Sequence, residues 1–255
     1  MTKRNLLTVA NAKTSKGEKL GVLTGILYLA PAMVSGRQVC PNASDGCKAV
    51  CLYTAGRGRF TNTQNARISK TNLFFDNRVE FMAILVDNIA AIVRKAKREG
   101  LTPAVRLNGT SDIAWEKMRV VVNGESFRNV MVAFPDVQFY DYTKISGRHA
   151  AIALPNYHLT FSLAENNDSE AFTAIREGYN LAVVMDLKKG DDKPSTWAGY
   201  PVVDGDISDV RFFDPKGGHI VALTAKGDAI KDTSGFVRSS LINVNVYDQI
   251  IAKAA

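Results

Sequence analysis

Gly21-Val-Leu-Thr-Gly-Ile-Leu-Tyr-Leu-Ala-Pro31 is the most informative segment for the architecture of this 255-residue chain. Residues 23–30 form an apolar run that stops at a proline, which is typical of a buried strand. The run is too short to span a bilayer, because a membrane helix needs about 20 apolar residues. The sequence therefore predicts a buried strand, followed directly by the segment that contains every cysteine of the chain.

Short apolar runs recur along the rest of the chain and alternate with helical patterns. The candidate strands are residues 104–107, 137–142, 159–163, 181–186, 201–203 and 219–223, and the candidate helices are residues 63–99, 125–133 and 169–177. Such alternation is typical of a parallel sheet with helical crossovers. We predict a single α/β domain over residues 1–255: a TIM-like barrel, partial or complete, with mostly parallel strands and the cysteine loop after the first strand. An open doubly wound sheet is the alternative.

The composition is that of a globular protein, with 46% hydrophobic and 22% charged residues. No segment has the pattern of a membrane span or a secretory leader, so we expect a cytoplasmic protein without a membrane partner. The net charge of +7 can attract nucleic acid or another anion. Lys and Arg are scattered along the chain, so the charge alone indicates no particular partner.

The three cysteines lie together in Cys40-Pro-Asn-Ala-Ser-Asp-Gly-Cys47-Lys-Ala-Val-Cys51. An odd number of cysteines in so short a segment does not indicate a disulfide framework. Pro41 and the turn at residues 44–46 bend the chain so that the thiolates can converge. Three thiolates from one loop suit a 4Fe-4S cluster whose fourth iron is open to a small-molecule ligand.

Zinc is the alternative metal for this loop. A structural zinc site normally has four protein ligands, so zinc would need a remote His149, His158 or His219. Unliganded thiols that pack as small apolar side chains are a further interpretation. Packing does not require three cysteines within twelve residues and none elsewhere. The pattern therefore favours a metal centre.

Polar side chains follow several of the predicted strands. In α/β proteins the carboxyl ends of the strands face the site. We therefore expect Asn108, Asp112 and Tyr142 to share one pocket with the cysteines. A lysine beside a carboxylate can act as a general acid or base when it is desolvated, which makes Asp112 and Lys144 the candidate catalytic residues.

Two arginines are candidate binding residues. Arg57 lies in Gly56-Arg-Gly-Arg59, directly after the cysteine loop, and its planar guanidinium matches a carboxylate or phosphate. A solvated basic loop is the alternative for this segment. Arg106 interrupts an apolar strand, where a charge needs a ligand or a buried partner. Asp112 and Asp141 are the candidate partners for a structural ion pair.

The cysteine loop resembles two groups of known proteins. A three-cysteine loop after the first strand of an α/β barrel resembles the radical S-adenosylmethionine superfamily, although the cysteine gaps are wider here. More closely, the segment from Cys40 to Arg57, followed by Arg106-Leu-Asn-Gly-Thr-Ser-Asp112, resembles the bacteriophage gene-product-88 domain family. The first resemblance implies S-adenosylmethionine at the open iron, with candidate contacts from Arg57, Arg106, Asn108, Asp112 and Tyr142. The second implies a phage origin, a host-cytoplasmic location and a barrel, but no settled reaction.

Three functions are compatible with these patterns. The first is an enzyme in which a reduced cluster cleaves S-adenosylmethionine and generates a radical. In the second, the open iron is a Lewis acid toward a substrate and no radical forms. The third is a non-enzymatic module, in which a cluster or zinc stabilises the loop. The basic stretch after the loop, which contains Arg57, Arg59, Arg67 and Lys70, would then contact nucleic acid or a host protein. A salt-dependent affinity for DNA or RNA would favour the third.

Overall fold

The computed structural model describes residues 5–10 and 12–241. The strands are β1 Leu7–Thr8, β2 Val22–Leu27, β3 Thr102–Arg106, β4 Val120–Val122, β5 Glu125–Phe127, β6 Gln138–Thr143, β7 Tyr157–Ser162, β8 Asn180–Met185, β9 Thr196–Trp197, β10 Tyr200–Asp204 and β11 Ile220–Thr224. The helices are α1 Ala12–Glu18, α2 Asp45–Ala49, α3 Thr61–Asp76, α4 Arg78–Glu99, α5 Val130–Ala133, α6 His149–Ile152 and α7 Asp168–Arg176.

One sheet organises the described chain, with the strand order β1-β2-β3-β6-β7-β8-β11-β10-β9. The strands from β2 to β10 in this order run parallel, and the short edge strands β1 and β9 are antiparallel to their neighbours. The predicted mostly parallel α/β sheet is thus confirmed, and the cysteine loop follows β2, the first of the parallel strands. Within the described residues β1 and β9 do not pair, so the strands do not form a closed barrel.

The positions of β10 and β11 depart from simple sequential winding, because β11 inserts between β8 and β10. Burial explains this order. Strand β11 is a run of apolar residues that is almost wholly buried, whereas β10 is partly exposed and contains Pro201. Proline cannot donate to a ladder, so it is tolerated near an edge and excluded from the centre of a sheet.

The long helical pattern over residues 63–99 is two helices that meet at Asn77. The Asn77 side chain accepts a hydrogen bond from the Glu80 amide and caps α4, which ends at Gly100 in the left-handed conformation. Phe81, Leu85 and Ile89 lie on the buried face of α4 at helical spacing, and this helix packs on β2 and β3. Among the helices of the described residues, none is long and apolar enough to cross a membrane.

The prediction of a helix over residues 125–133 is wrong for its first half. Residues 120–127 form the hairpin β4–β5, and only Val130–Ala133 is helical. Asn123 and Gly124 form the turn with φ angles of 51° and 85°. An Asn-Gly pair between short β-prone runs is a strong hairpin signal, and it outweighs the helical spacing of the apolar residues that follow.

Candidate cysteine site

The cysteine loop lies at the carboxyl end of the parallel strands. Cys40 links the loops that follow β2 and β3: its Sγ accepts a hydrogen bond from the Ala32 amide at 3.4 Å and donates one to the Thr110 carbonyl at 3.7 Å. The Asp112 amide also donates to the Val39 carbonyl at 2.8 Å. These contacts place Cys40 against the β3 loop, at the edge where strand polarity predicts a site.

Cys47 is positioned by the short helix α2. Ser44 caps this helix by accepting a hydrogen bond from the Cys47 amide at 3.1 Å. Ser44 Oγ donates to Glu165 Oε2 at 2.6 Å, and the Gly46 amide donates to Glu165 Oε1 at 2.7 Å. Although burial raises the pKa of Glu165, these hydrogen bonds outweigh it and hold the pKa below its ordinary value. Glu165, beyond β7, thus clamps the start of α2 as a carboxylate.

Gly46 lets this clamp approach α2 closely. A Cβ atom at this position would clash with Ser234 Oγ and lie 2.8 Å from the Glu165 carboxyl carbon. Both atoms lie at the ends of side chains, so a side chain here would displace Ser234 and Glu165 and disturb the hydrogen bonds of Glu165 to α2. The glycine between the first two cysteines therefore has a packing role, in addition to the turn that the sequence predicts.

Cys40, Cys47 and Cys51 form no disulfide, and they lie close enough to act on one another electrostatically. Burial raises the pKa of Cys40 to about 12, and the neighbouring Cys51 and Cys47 raise it further. Burial also raises the pKa of Cys51, against which Lys144 and Arg67 act as nearby cations. Each thiolate would thus be repelled by the others, which makes the group a natural site for a positively charged centre.

The thiols do not converge on a single point. In the part of the chain that the structure describes, no three His, Cys, Asp or Glu side chains form a group that could hold one metal ion. His149, His158 and His219 therefore do not complete a zinc site with the cysteines there. Burial lowers the pKa of His158 to about 4, as expected for an imidazole in the interior.

Asp112 lies beside Cys40 and contributes to its raised pKa. Its carboxylate accepts hydrogen bonds from Thr143 Oγ1 at 2.8 Å and the Lys144 amide at 2.7 Å, and Arg148 Nη1 lies 3.7 Å away. Burial raises the pKa of Asp112 despite these contacts. The carboxylate therefore joins the end of β6 to the cysteine loop.

Lys144, whose amide donates to Asp112, also lies near Cys51. Its Nζ donates to Ser162 Oγ at 3.2 Å and lies 5.6 Å from the centre of the Phe236 ring. A polar cleft of about 310 Å³ opens beside it, and Asn42, Ser44, Lys144, Asn167 and Glu170 are among its lining residues. The structure thus brings both candidate catalytic residues, Asp112 and Lys144, next to the thiols.

Asn108, by contrast, is engaged in its own loop. Its amide oxygen accepts hydrogen bonds from Ser111 Oγ, the Ile113 amide and Trp115 Nε1, at 2.9 to 3.0 Å. Its amide nitrogen donates to the Ile113 carbonyl at 3.0 Å. The side chain thus holds the segment that presents Asp112, which is a structural contribution to the site.

Arg106 pairs with Asp209, at 3.0 Å, and not with Asp112 or Asp141 as the sequence suggested. Burial lowers the pKa of Arg106, but the Asp209 carboxylate more than compensates and raises it above the ordinary value. The guanidinium also lies 4.7 Å from the centre of the Tyr142 ring. Burial raises the pKa of Tyr142 to about 12. Arg106, Tyr142 and Asp209 thus form a separate polar group, apart from the contacts of Asp112.

Arg57 lies in the exposed 3₁₀ turn Gly56–Arg59, directly after the cysteine loop. Sequence reasoning named Arg67, which lies in the next helix, α3, only as part of the basic stretch. Its guanidinium is buried between the rings of Tyr28 and Tyr53 and acts on Cys51. No local pattern marks this arrangement, because the three residues come from different elements of the fold.

The protein is an α/β protein with a mostly parallel sheet, and Cys40, Cys47 and Cys51 lie at the carboxyl edge of that sheet. The family model for gene product 88 matches residues 5–240. The chain therefore belongs to the gene product 88 family, as the cysteine segment and the Arg106–Asp112 motif suggested. No curated protein and no solved structure matches the chain at a significant level.

Proposed function

We propose that Cys40, Cys47 and Cys51 hold a 4Fe-4S cluster whose fourth iron is open to a small-molecule ligand. The observation that carries this proposal is that three cysteines outside any disulfide act on one another electrostatically at one edge of the sheet. Thiols with raised pKa values are costly to ionise, and a metal centre offsets that cost because it binds them as thiolates. The clamp from Glu165 orders the middle of the loop, as a ligand-bearing segment requires.

A cluster suits this arrangement better than one zinc ion. Zinc needs each sulfur about 2.3 Å from the same point. In a cuboidal cluster each cysteine binds a different iron, so the sulfurs remain farther apart. The loop supplies three thiolates, which leaves one iron of a cluster open but leaves zinc without the fourth protein ligand of a structural site.

S-adenosylmethionine is our leading candidate for the ligand of the open iron. The cluster would supply a Lewis-acidic iron and, when reduced, an electron. The chain would bind and orient the ligand: Lys144 and Arg57 are the cations available for a carboxylate, and Asp112 is the carboxylate available for an ammonium group.

A Lewis-acid enzyme without radical chemistry is the second candidate. It is favoured by the engagement of Arg106, Asn108, Asp112 and Tyr142, because four of the five expected cofactor contacts already have partners within the protein. In this alternative Lys144 would transfer protons to or from a substrate at the open iron. Its Nζ donates to Ser162 Oγ, and its charge acts on Cys51.

We further infer that the sheet is a partial barrel. In a flat sheet β2 and β10 would be separated by six strand spacings, about 29 Å. Yet Lys16 in α1, just before β2, donates to the Asp206 carbonyl just after β10 at 2.5 Å. Phe212 likewise reaches the Tyr140 ring on β6, with 5.6 Å between ring centres. Strong curvature of the sheet explains how the segment after β10, which contains Asp206 and Phe212, reaches both α1 beside β2 and Tyr140 on β6.

Electron paramagnetic resonance of the anaerobically reduced protein tests the ligand proposal. We expect the cluster signal to change on addition of S-adenosylmethionine, because a ligand at iron alters the electronic structure of the cluster. Formation of 5′-deoxyadenosine would support the radical enzyme. An unchanged signal at saturating cofactor, with no cleavage product, would rule out that function and favour the Lewis-acid alternative.

A further inference from the structure

Arg67 is a buried cation without an acidic partner in the described part of the chain. The residue is 8% exposed, and its Nε and Nη1 atoms are buried without a hydrogen bond. Burial lowers its pKa, and the groups that act on it are Tyr28, Cys51 and Tyr53. A buried guanidinium is normally paired with a carboxylate or fully hydrogen-bonded, because desolvation of an uncompensated charge is costly.

Two tyrosine rings hold this guanidinium in place. The ring centre of Tyr28, directly after β2, lies 5.0 Å from the guanidinium carbon, and that of Tyr53, two residues after Cys51, lies 5.4 Å from it. Such cation–π contacts stabilise the charge through the aromatic faces. They do not satisfy the N–H groups, which point outward in the plane of the guanidinium.

The surroundings are positively charged. Lys70, one turn further along α3, is partly buried, and its pKa falls to about 8 because of burial and the nearby Arg67. Its Nζ donates to the Leu6 carbonyl at 2.7 Å, a neutral partner that adds no negative charge near Arg67. Lys144 approaches Cys51 as a further cation. The surroundings of Cys51 thus combine positive charge with unused N–H donors of Arg67.

We propose that Arg67 is the receptor for an oxyanion, the carboxylate or phosphate of a small molecule that binds beside Cys51. The planar guanidinium matches either group with two parallel hydrogen bonds. The tyrosine rings fix its orientation, so little side-chain entropy is lost when the anion binds. This inference goes beyond the proposed cluster, because it rests on the environment of Arg67 and applies with or without iron.

The test is the thermal stability of the full chain in acetate, inorganic phosphate or chloride, at constant ionic strength. An anion that binds the native state raises the Tm, by about 3 °C or more at ten times its dissociation constant for a chain of this size. We expect a rise in acetate or phosphate relative to chloride. The anion that gives the larger rise identifies the ligand as a carboxylate or a phosphate compound.

Arg67→Met should abolish this rise in Tm. Arg67→Lys should weaken it, because lysine keeps the charge but lacks the planar guanidinium that donates two parallel hydrogen bonds. Arg94→Met, which removes an exposed arginine of α4, is the matched control and should retain the full response. Without added anion, Arg67→Met should be at least as stable as the parent protein, since it removes an uncompensated buried charge. Equal responses in all variants, or no response in the parent protein, would overturn the proposal. The iron content, measured on the same samples, tests the cluster separately.

Discussion

Cys47→Ala protein prepared without oxygen is expected to lose most of its iron and its visible absorption. The remaining two thiolates of the loop cannot hold a cuboidal cluster firmly, because its other irons would depend on solvent. Cys40→Ala and Cys51→Ala should have the same effect. Iron content per chain and the absorption spectrum, compared with the parent protein, are the measurements.

Lys48→Ala is the matched control for these variants. Lys48 follows Cys47 in α2, and its exposed side chain pairs with Asp45, at 2.9 Å. Its removal should leave the iron content close to that of the parent protein. A cysteine variant that keeps its full iron content while Lys48→Ala behaves normally would show that this cysteine is not a ligand.

The stability of the protein is expected to depend on pH through Asp141, which is fully buried on β6. Its carboxyl accepts hydrogen bonds from the Asn108 amide at 2.6 Å and Tyr157 Oη at 3.0 Å. Burial nevertheless raises its pKa to about 7, compared with about 3.9 in an unfolded chain. The folded protein therefore binds the proton more tightly than the unfolded chain does. The stabilisation from this proton is fully present below about pH 4 and is lost as the pH rises through 7.

Asp141→Asn should remove this part of the pH dependence. A pKa difference of about three units corresponds to about 4 kcal/mol, so the free energy of unfolding of the parent protein should fall by up to that amount, relative to the variant, between about pH 4 and 7. Denaturant unfolding at a series of pH values measures it. Asp136→Asn, the same change at an exposed position, is the control. Parallel pH profiles for Asp141→Asn and the parent protein would contradict the expectation.

The parallel strands were predictable because each contains a short apolar or aromatic run, which is a local property of the sequence. The short strands β1, β4, β5 and β9 were not predicted. The runs over residues 137–142 and 181–186 correspond closely to Gln138–Thr143 and Asn180–Met185. Sheet order was not predictable, since the insertion of β11 between β8 and β10 depends on which strand buries more apolar surface in the assembled sheet.

The site was predictable to the extent that it follows from strand polarity. The cysteines, Asp112 and Lys144 come together because loops after parallel strands meet at one edge. The partner of Arg106 was missed, since Asp209 is 103 residues away along the chain. The environment of Arg67 was missed for a similar reason: its contacts with Tyr28 and Tyr53 arise only when β2, the cysteine loop and α3 are assembled.

The iron, acid-labile sulfide and zinc content of anaerobically purified protein tests the central proposal most directly. A 4Fe-4S cluster on the three thiols predicts about four iron and four sulfide per chain, without stoichiometric zinc. The protein should be brown and should bleach when exposed to air. Colourless protein that contains one zinc and no sulfide per chain would contradict the cluster and would assign the three thiols to a zinc site.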